Sequence, residues 1–265
     1  MTRSSTGRGP DGDGPWQPAT LEALRAAVRS TAGPGVVVEV VGSAAEPAAL
    51  DQLSDLDVMV TMPDRSGPDA SVLLGVDWLG PVGEVWTFDR TTDAQGSTLR
   101  VVFVDGRRID LRFPAAVVAP AAAGPDEPAD PVGSVATVVA KAHFVAAVAA
   151  VKLGRRDLLI GAHLALEVVR NTLVLGMLLR DRDTGVSAHR HGSARDGESA
   201  RVSVVLAALP ADAGATDWLD LLAAVREPFD ALAGELDPLH RSDWRGLDSL
   251  VHLARAALAR ADTAG

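Results

Sequence analysis

The chain has 265 residues, with 25 basic and 35 acidic side chains and a formal net charge of −10. It contains no cysteine, which excludes disulfides, thiol catalysis and cysteine-ligated zinc and gives no pointer to an oxidising compartment. Acids outnumber bases in both halves, so neither half offers the basic track that a nucleic-acid backbone demands.

In chain order, residues 1–18 are rich in Gly, Pro, Ser and Asp without an apolar stretch of signal-peptide length, and read as a disordered leader. Residues 19–118 read as a mixed α/β domain. Within it Gly35 to Val41 is an apolar, β-branched run ending at Gly42, the pattern of a buried strand entering a tight turn. Gly42 allows close backbone approach to a ligand, and Ser43 adds a hydroxyl and an N–H where unpaired backbone donors favour phosphate. After a spacer to Ser54 the chain returns as a strand over Leu56–Thr61. Asp55 and Asp57, two residues apart, leave the same face of that strand, and their repulsion calls for a cation between them. Hard oxygen ligands favour Mg²⁺. Residues 99–113 alternate as two β-rich runs about Asp105-Gly106, a hairpin signal, and the second run carries Asp110 between Ile109 and Leu111. Three acids beside a Gly-Ser turn fit a two-metal site acting on a nucleoside triphosphate.

Residues 119–134, dense in Pro and Gly, read as a linker. Residues 135–265 read as an all-α bundle, with helices expected over 135–153, 156–182, 200–209, 218–236 and 243–261. The helix from Arg156 is apolar nearly all round, which predicts a central position, and its exceptions, Arg156, His163, Glu167 and Arg170, fall on one stripe. His163, Glu167 and Asp157 are candidate acceptor contacts, as are Glu84 and Trp86 in the first domain. Lys152, one of two lysines with Lys141, is a candidate phosphate contact. His189 and His191 have a spacing compatible with metal but read as an exposed loop. The polar residues His163, Glu167 and Arg170 interrupt the longest apolar helix, so no membrane span is expected and the reading is cytoplasmic.

The pattern hydrophobic-Gly42-Ser43, a spacer of about ten residues, Asp55-x-Asp57 and a later Ile109-Asp110-Leu111 resembles the nucleotidyltransferase superfamily that shares the DNA polymerase β-like palm. Val104-Asp-Gly-Arg-Arg-Ile-Asp-Leu111, Lys152-Leu-Gly-Arg-Arg-Asp-Leu-Leu159 and Glu167-Val-Val-Arg-Asn171 are most similar to the streptomycin (aminoglycoside 6-) adenylyltransferases, with the lincosamide nucleotidyltransferases next. The resemblance covers roughly residues 36–182. It implies a palm followed by a helical substrate-binding domain. The implied reaction is Mg²⁺-dependent transfer of AMP from ATP, with release of pyrophosphate, to a hydroxyl of a small-molecule antibiotic, and the acid excess suits a cationic one.

In the implied site Asp55, Asp57 and Asp110 are metal ligands and catalytic acids, and Gly42, Ser43, Asp55, Asp57 and Lys152 hold the nucleotide. The sequence departs from the streptomycin enzymes between Thr61 and Leu99, where acids and aromatics are fewer and Trp78, Glu84, Trp86 and Asp89 stand. That leaves acceptor, nucleotide and oligomeric state open. A reading from a different class is a toxin–antitoxin-type module acting on a protein or RNA, for which Arg156 and His163 match a short Arg-x(4–6)-His pattern.

Overall fold

The computed structural model describes residues 15–45, 50–61, 70–115, 131–185 and 195–264. Residues 1–14 of the expected leader, 119–130 of the linker and the His189–His191 pair lie outside the described residues, while Gln17 and Pro18 of the leader and residues 131–134 of the linker are helical instead. The chain divides into two compact units, residues 1–122 and 123–265.

The first unit begins with α1 (Gln17–Ala32), led in by Pro18 at a position where the missing N–H costs nothing. Five strands follow: β1 (Val37–Val40), β2 (Leu56–Thr61), β3 (Val85–Asp93), β4 (Gly96–Phe103) and β5 (Arg108–Pro114). They form one mixed sheet in the order β1-β2-β5-β4-β3, in which β2 and β5 are parallel and every other pair antiparallel. Alternation sorts the two faces. Leu56, Val58, Val60, Leu99, Val101, Phe103, Ile109, Leu111 and Phe113 share one buried cluster with Leu24 and Val28 of α1. The opposite face of β2 carries Asp57, Met59 and Thr61, each partly exposed.

The β4–β5 hairpin turns at Gly106, whose φ of 85° suits glycine. The expected strand after residue 35 is trimmed to Val37–Val40. β3 is an addition: Val85–Asp93 has the β-branched and aromatic content of a strand but was read only for its individual acids and tryptophans.

The second unit, among its described residues, is helical: α2 (Pro131–Gly154), α3 (Leu158–Thr184), α4 (Gly197–Ala207), α5 (Ala215–Ala224), α6 (Arg226–Leu236) and α7 (Arg245–Ala264). α2 packs against α3, α5, α6 and α7. Its buried Ala142, Ala146, Ala147, Ala149 and Ala150 make it thin enough for the others to close on it. α3 likewise packs against four helices, α2, α4, α5 and α6, so the two form the middle of the bundle together. α3 leaves Leu159 81 % exposed, with Leu166, Leu173 and Met177 also exposed. α2 and α3 approach closely at Gly161, where a Cβ would lie 2.6 Å from Leu153 Cδ2. The helix expected over 218–236 is two helices. Pro228, in the first turn of α6, has no N–H to continue the ladder of α5 and its ring would crowd the carbonyl four residues back.

Two described helices, Val135–Gly154 and Leu158–Thr184, have the length and apolarity to cross a membrane, against the expectation that none would. Half of the qualifying window in the first and 39 % in the second is buried inside the protein.

In the second unit, Asp230 of α6 ties down the loop before α7. Ser242 Oγ donates to it at 2.6 Å and Trp244 Nε1 at 2.8 Å, while His240 Nε2 lies 3.0 Å from its other oxygen. Trp244 packs edge-on to buried His143, with ring centroids 4.4 Å apart.

Candidate functional site

β2 and β5 run parallel with Asp57 directly beside Asp110. Asp110 faces Arg100 of β4, and Arg100 faces Asp89 of β3. One row across four strands thus reads Asp57, Asp110, Arg100, Asp89, all on the face away from the buried cluster.

Asp55 enters the same surface from the residue before β2, and its loop is held firmly. Gln17 Nε2 donates to the Asp51 and Ser54 carbonyls at 3.1 and 3.2 Å, Ser54 Oγ donates to Asp51 at 2.7 Å, and Arg108 Nη2 donates to the Leu53 carbonyl at 2.9 Å.

The glycine turn is built against this row. Residues Gly42–Ala45 form a single 3₁₀ turn, with Gly42 at φ 63°. A Cβ at Gly42 would lie 2.6 Å from Asp57 Oδ2, so only glycine fits there without moving the carboxylate. The Val41 N–H donates to the Asp57 carbonyl at 3.0 Å, fixing the turn to the acid-bearing strand. Ser43 is placed on this turn by its backbone.

Each acid has an arginine nearby, all at loose distances. Arg108 stands 3.6 Å from Asp55, Arg112 3.5 Å from Asp57 Oδ1, and Arg100 3.4 Å from Asp110 and 3.5 Å from Asp89. Burial, then the Asp55 charge, pushes the Asp110 carboxyl up to about 6 despite Arg100. The same two causes raise Asp57, against the opposing pull of Arg112, Arg108 and Arg100. Among the described residues no three Asp, Glu or His side chains converge at metal-holding distance. The acids are turned toward arginines, so they supply the donor chemistry of a metal site without its closed geometry.

The arginines went unread in the sequence. Their signal was present: Arg108-Ile-Asp110-Leu-Arg112 alternates with period two, which puts both arginines and the acid on one face of β5.

The remaining candidates are placed as follows. Glu84 immediately precedes β3, and Trp86 sits at the irregularity between Val85 and Thr87. Trp78 donates from Nε1 to the Gly75 carbonyl at 2.9 Å and packs partly buried on the core. Lys152, Asp157, His163 and Glu167 belong to the second unit and are placed there relative to one another. Asp157 is the N-cap of α3, accepting from the Ile160 N–H at 3.4 Å, with Lys152 at 3.6 Å. Lys141 pairs with Glu167 at 3.0 Å. His163 and Arg170 are exposed.

Arg156 does not share their stripe. It lies in the turn before α3 in the left-handed region, φ 59°, and pairs with Asp262 of α7. Arg156 and His163 therefore do not stand on one helix face.

A groove of about 560 Å³ in the second unit is lined by Arg226, Asp230, Arg241, Trp244 and Asp248 among others, and contains none of the acid-row residues. Asp230 and Ser242 line it and His240 contacts Asp230 from outside its lining, yet Ser242 donates to the aspartate and not to the histidine. A nucleophilic triad needs the serine on the histidine. The cluster is a loop fastening.

No family model matches this sequence, and no curated protein does. Among solved structures, the chain is similar to an aminoglycoside 6-adenyltransferase from Bacillus subtilis at 12 % identity and a TM-score of 0.37, over 90 % of this chain and 97 % of that one.

Proposed function

We propose that the protein is a metal-dependent nucleotidyltransferase, transferring a nucleoside monophosphate, AMP from ATP, to a hydroxyl of a small molecule. The observation that carries this reading is the register of Asp57 beside Asp110 on parallel strands, with Asp55 two residues earlier and the Gly42 turn against the Asp57 carboxylate.

The residues fit a divalent cation by donor chemistry: three carboxylates, two of them raised by burial and by a neighbouring carboxylate, gain from a cation that removes the repulsion. Asp55 and Asp57 would hold Mg²⁺, with Asp110 completing the set. When bound, the metal neutralises triphosphate charge and polarises the α-phosphate. Gly42 and Ser43 offer backbone N–H groups to the β- and γ-phosphates. The acceptor oxygen forms the new bond to the α-phosphorus, the α–β bridging bond breaks, and pyrophosphate leaves. The acceptor proton passes to a carboxylate, for which Asp110, buried beside Asp57, is the proposed acceptor.

The acid excess suits a cationic acceptor, and an aminoglycoside-like antibiotic is the proposed class, with a lincosamide as the alternative. Lys152, Asp157, His163, Glu167, Glu84 and Trp86 remain proposed nucleotide or acceptor contacts, and a cytoplasmic location remains part of the proposal.

The test is pyrophosphate release and product mass with Mg²⁺, each ribonucleoside triphosphate, and a panel of streptomycin-like, other aminoglycoside and lincosamide acceptors. The expected result is a mass gain of one nucleoside monophosphate on one acceptor. Absence of triphosphate binding in the presence of Mg²⁺ overturns the reading.

A further inference from the structure

The three arginines on the acid face differ in how firmly they are held. Arg108 is 12 % exposed and is anchored to the Leu53 carbonyl as well as to Asp55. Arg112 is 52 % exposed and reaches Asp57 at 3.5 Å, long for a charge-assisted hydrogen bond. The two Asp57 oxygens face different neighbours: Oδ2 lies against Gly42, and Oδ1 faces Arg112. One carboxylate therefore separates Arg112 from the turn assigned to the phosphates. A cation that takes Asp57 removes the partner of Arg112 and adds like charge beside it, and the nearest anion able to replace that partner is a phosphate held on the Gly42 turn.

We propose that Arg112 is an exchangeable counter-ion: it holds Asp57 until a divalent cation and a nucleoside triphosphate arrive together, and then passes from the carboxylate to the phosphates. The inference rests on the nucleotidyl-transfer reading. It has a thermodynamic consequence. A cation alone must displace the guanidinium without offering it a new partner, and a nucleotide alone must draw it from a carboxylate left bare. Each ligand lowers the cost of the other, so the two bind with positive coupling, and the coupling runs through a residue that need not touch the cation.

The experiment is calorimetric titration of the full chain with Mn²⁺ alone, with a non-hydrolysable ATP analogue alone, and with each in the presence of the other. It is run on the wild type, Arg112→Gln and Arg112→Lys. Circular dichroism and thermal melting check folding, which a half-exposed side chain does not govern. In the wild type, Mn²⁺ is expected to bind about tenfold or more tighter with the analogue present. In Arg112→Gln, Mn²⁺ alone binds tighter than in the wild type, the analogue alone binds more weakly, and the enhancement falls several-fold. Arg112→Lys, which keeps the charge without the fork, retains part of it. If the wild type binds both ligands and Arg112→Gln leaves both affinities and their coupling unchanged, the counter-ion role is overturned while nucleotidyl transfer stands. If the wild type binds neither, both fall.

Discussion

Asp230 in the helical unit receives Ser242 and Trp244 and lies against His240, all from one short loop, whereas Asp57 in the sheet unit faces two further carboxylates and loosely placed arginines. Both are aspartates on regular elements with partners from elsewhere in the chain. The first is satisfied at 2.6–3.0 Å by a hydroxyl, an indole N–H and an imidazole nitrogen, and its effect is to hold a loop. The second is crowded by like charge, which together with burial raises its carboxyl. Satisfied acids build structure, and frustrated acids kept on a rigid sheet mark the place where a charged ligand completes the arrangement.

Substitutions should separate the two regions. The largest effect is expected from Asp57→Ala, with loss of transfer on the order of a thousandfold or more and little change in melting temperature. A folded, fully active Asp57→Ala would break the comparison at once. Asp230→Ala should do the reverse, costing about 2–4 kcal/mol of stability in urea titrations by stranding the loop's donors.

Acid should distinguish the regions by sign. Burial lowers His143 from 6.5 to about 4, so its contribution to stability is complete above pH 6.5 and is lost as pH falls from 6.5 toward 4. His143→Phe should flatten the pH dependence of unfolding in that window by on the order of 2–3 kcal/mol. Asp110 has the opposite sign. Its raised carboxyl favours the folded state below about pH 4, and that contribution is lost as pH rises through about 6. Asp110→Asn should therefore stabilise the protein at pH 7–8 by on the order of 1–2 kcal/mol, with the gain shrinking as pH falls below 6, while transfer is lost. Paired melts at pH 5 and 8 read both effects.

Much of the sheet unit was legible because its signals are local. β2 occupies the expected Leu56–Thr61, and the Asp105-Gly106 turn joins two strands as its residue types dictate. The Asp57–Asp110 proximity depended on a parallel pairing that no local pattern states, and there the motif resemblance supplied what periodicity did not. The arginine partners were legible in the alternation of β5 but were passed over, since charge on a strand reads by default as solvent-facing. In the helical unit α2 is rich in alanine and α3 in leucine, and composition alone does not state which helices each one meets. The Pro228 break and the left-handed Arg156 turn were single-residue events inside helical composition, which a periodicity reading averages away.

The parallel joint between β2 and β5 has a consequence for the order of events during folding. The β4–β5 hairpin closes through neighbours in sequence and brings Arg100 to Asp110 by itself, but Asp57 meets Asp110 only when two stretches far apart in the chain dock side by side. A chain stalled before that step carries the local Asp55–Asp57 pair but not Asp110 beside it. Full affinity for the proposed divalent ion should therefore appear late in refolding, as a signal that reports completion of the sheet more sharply than secondary-structure content can.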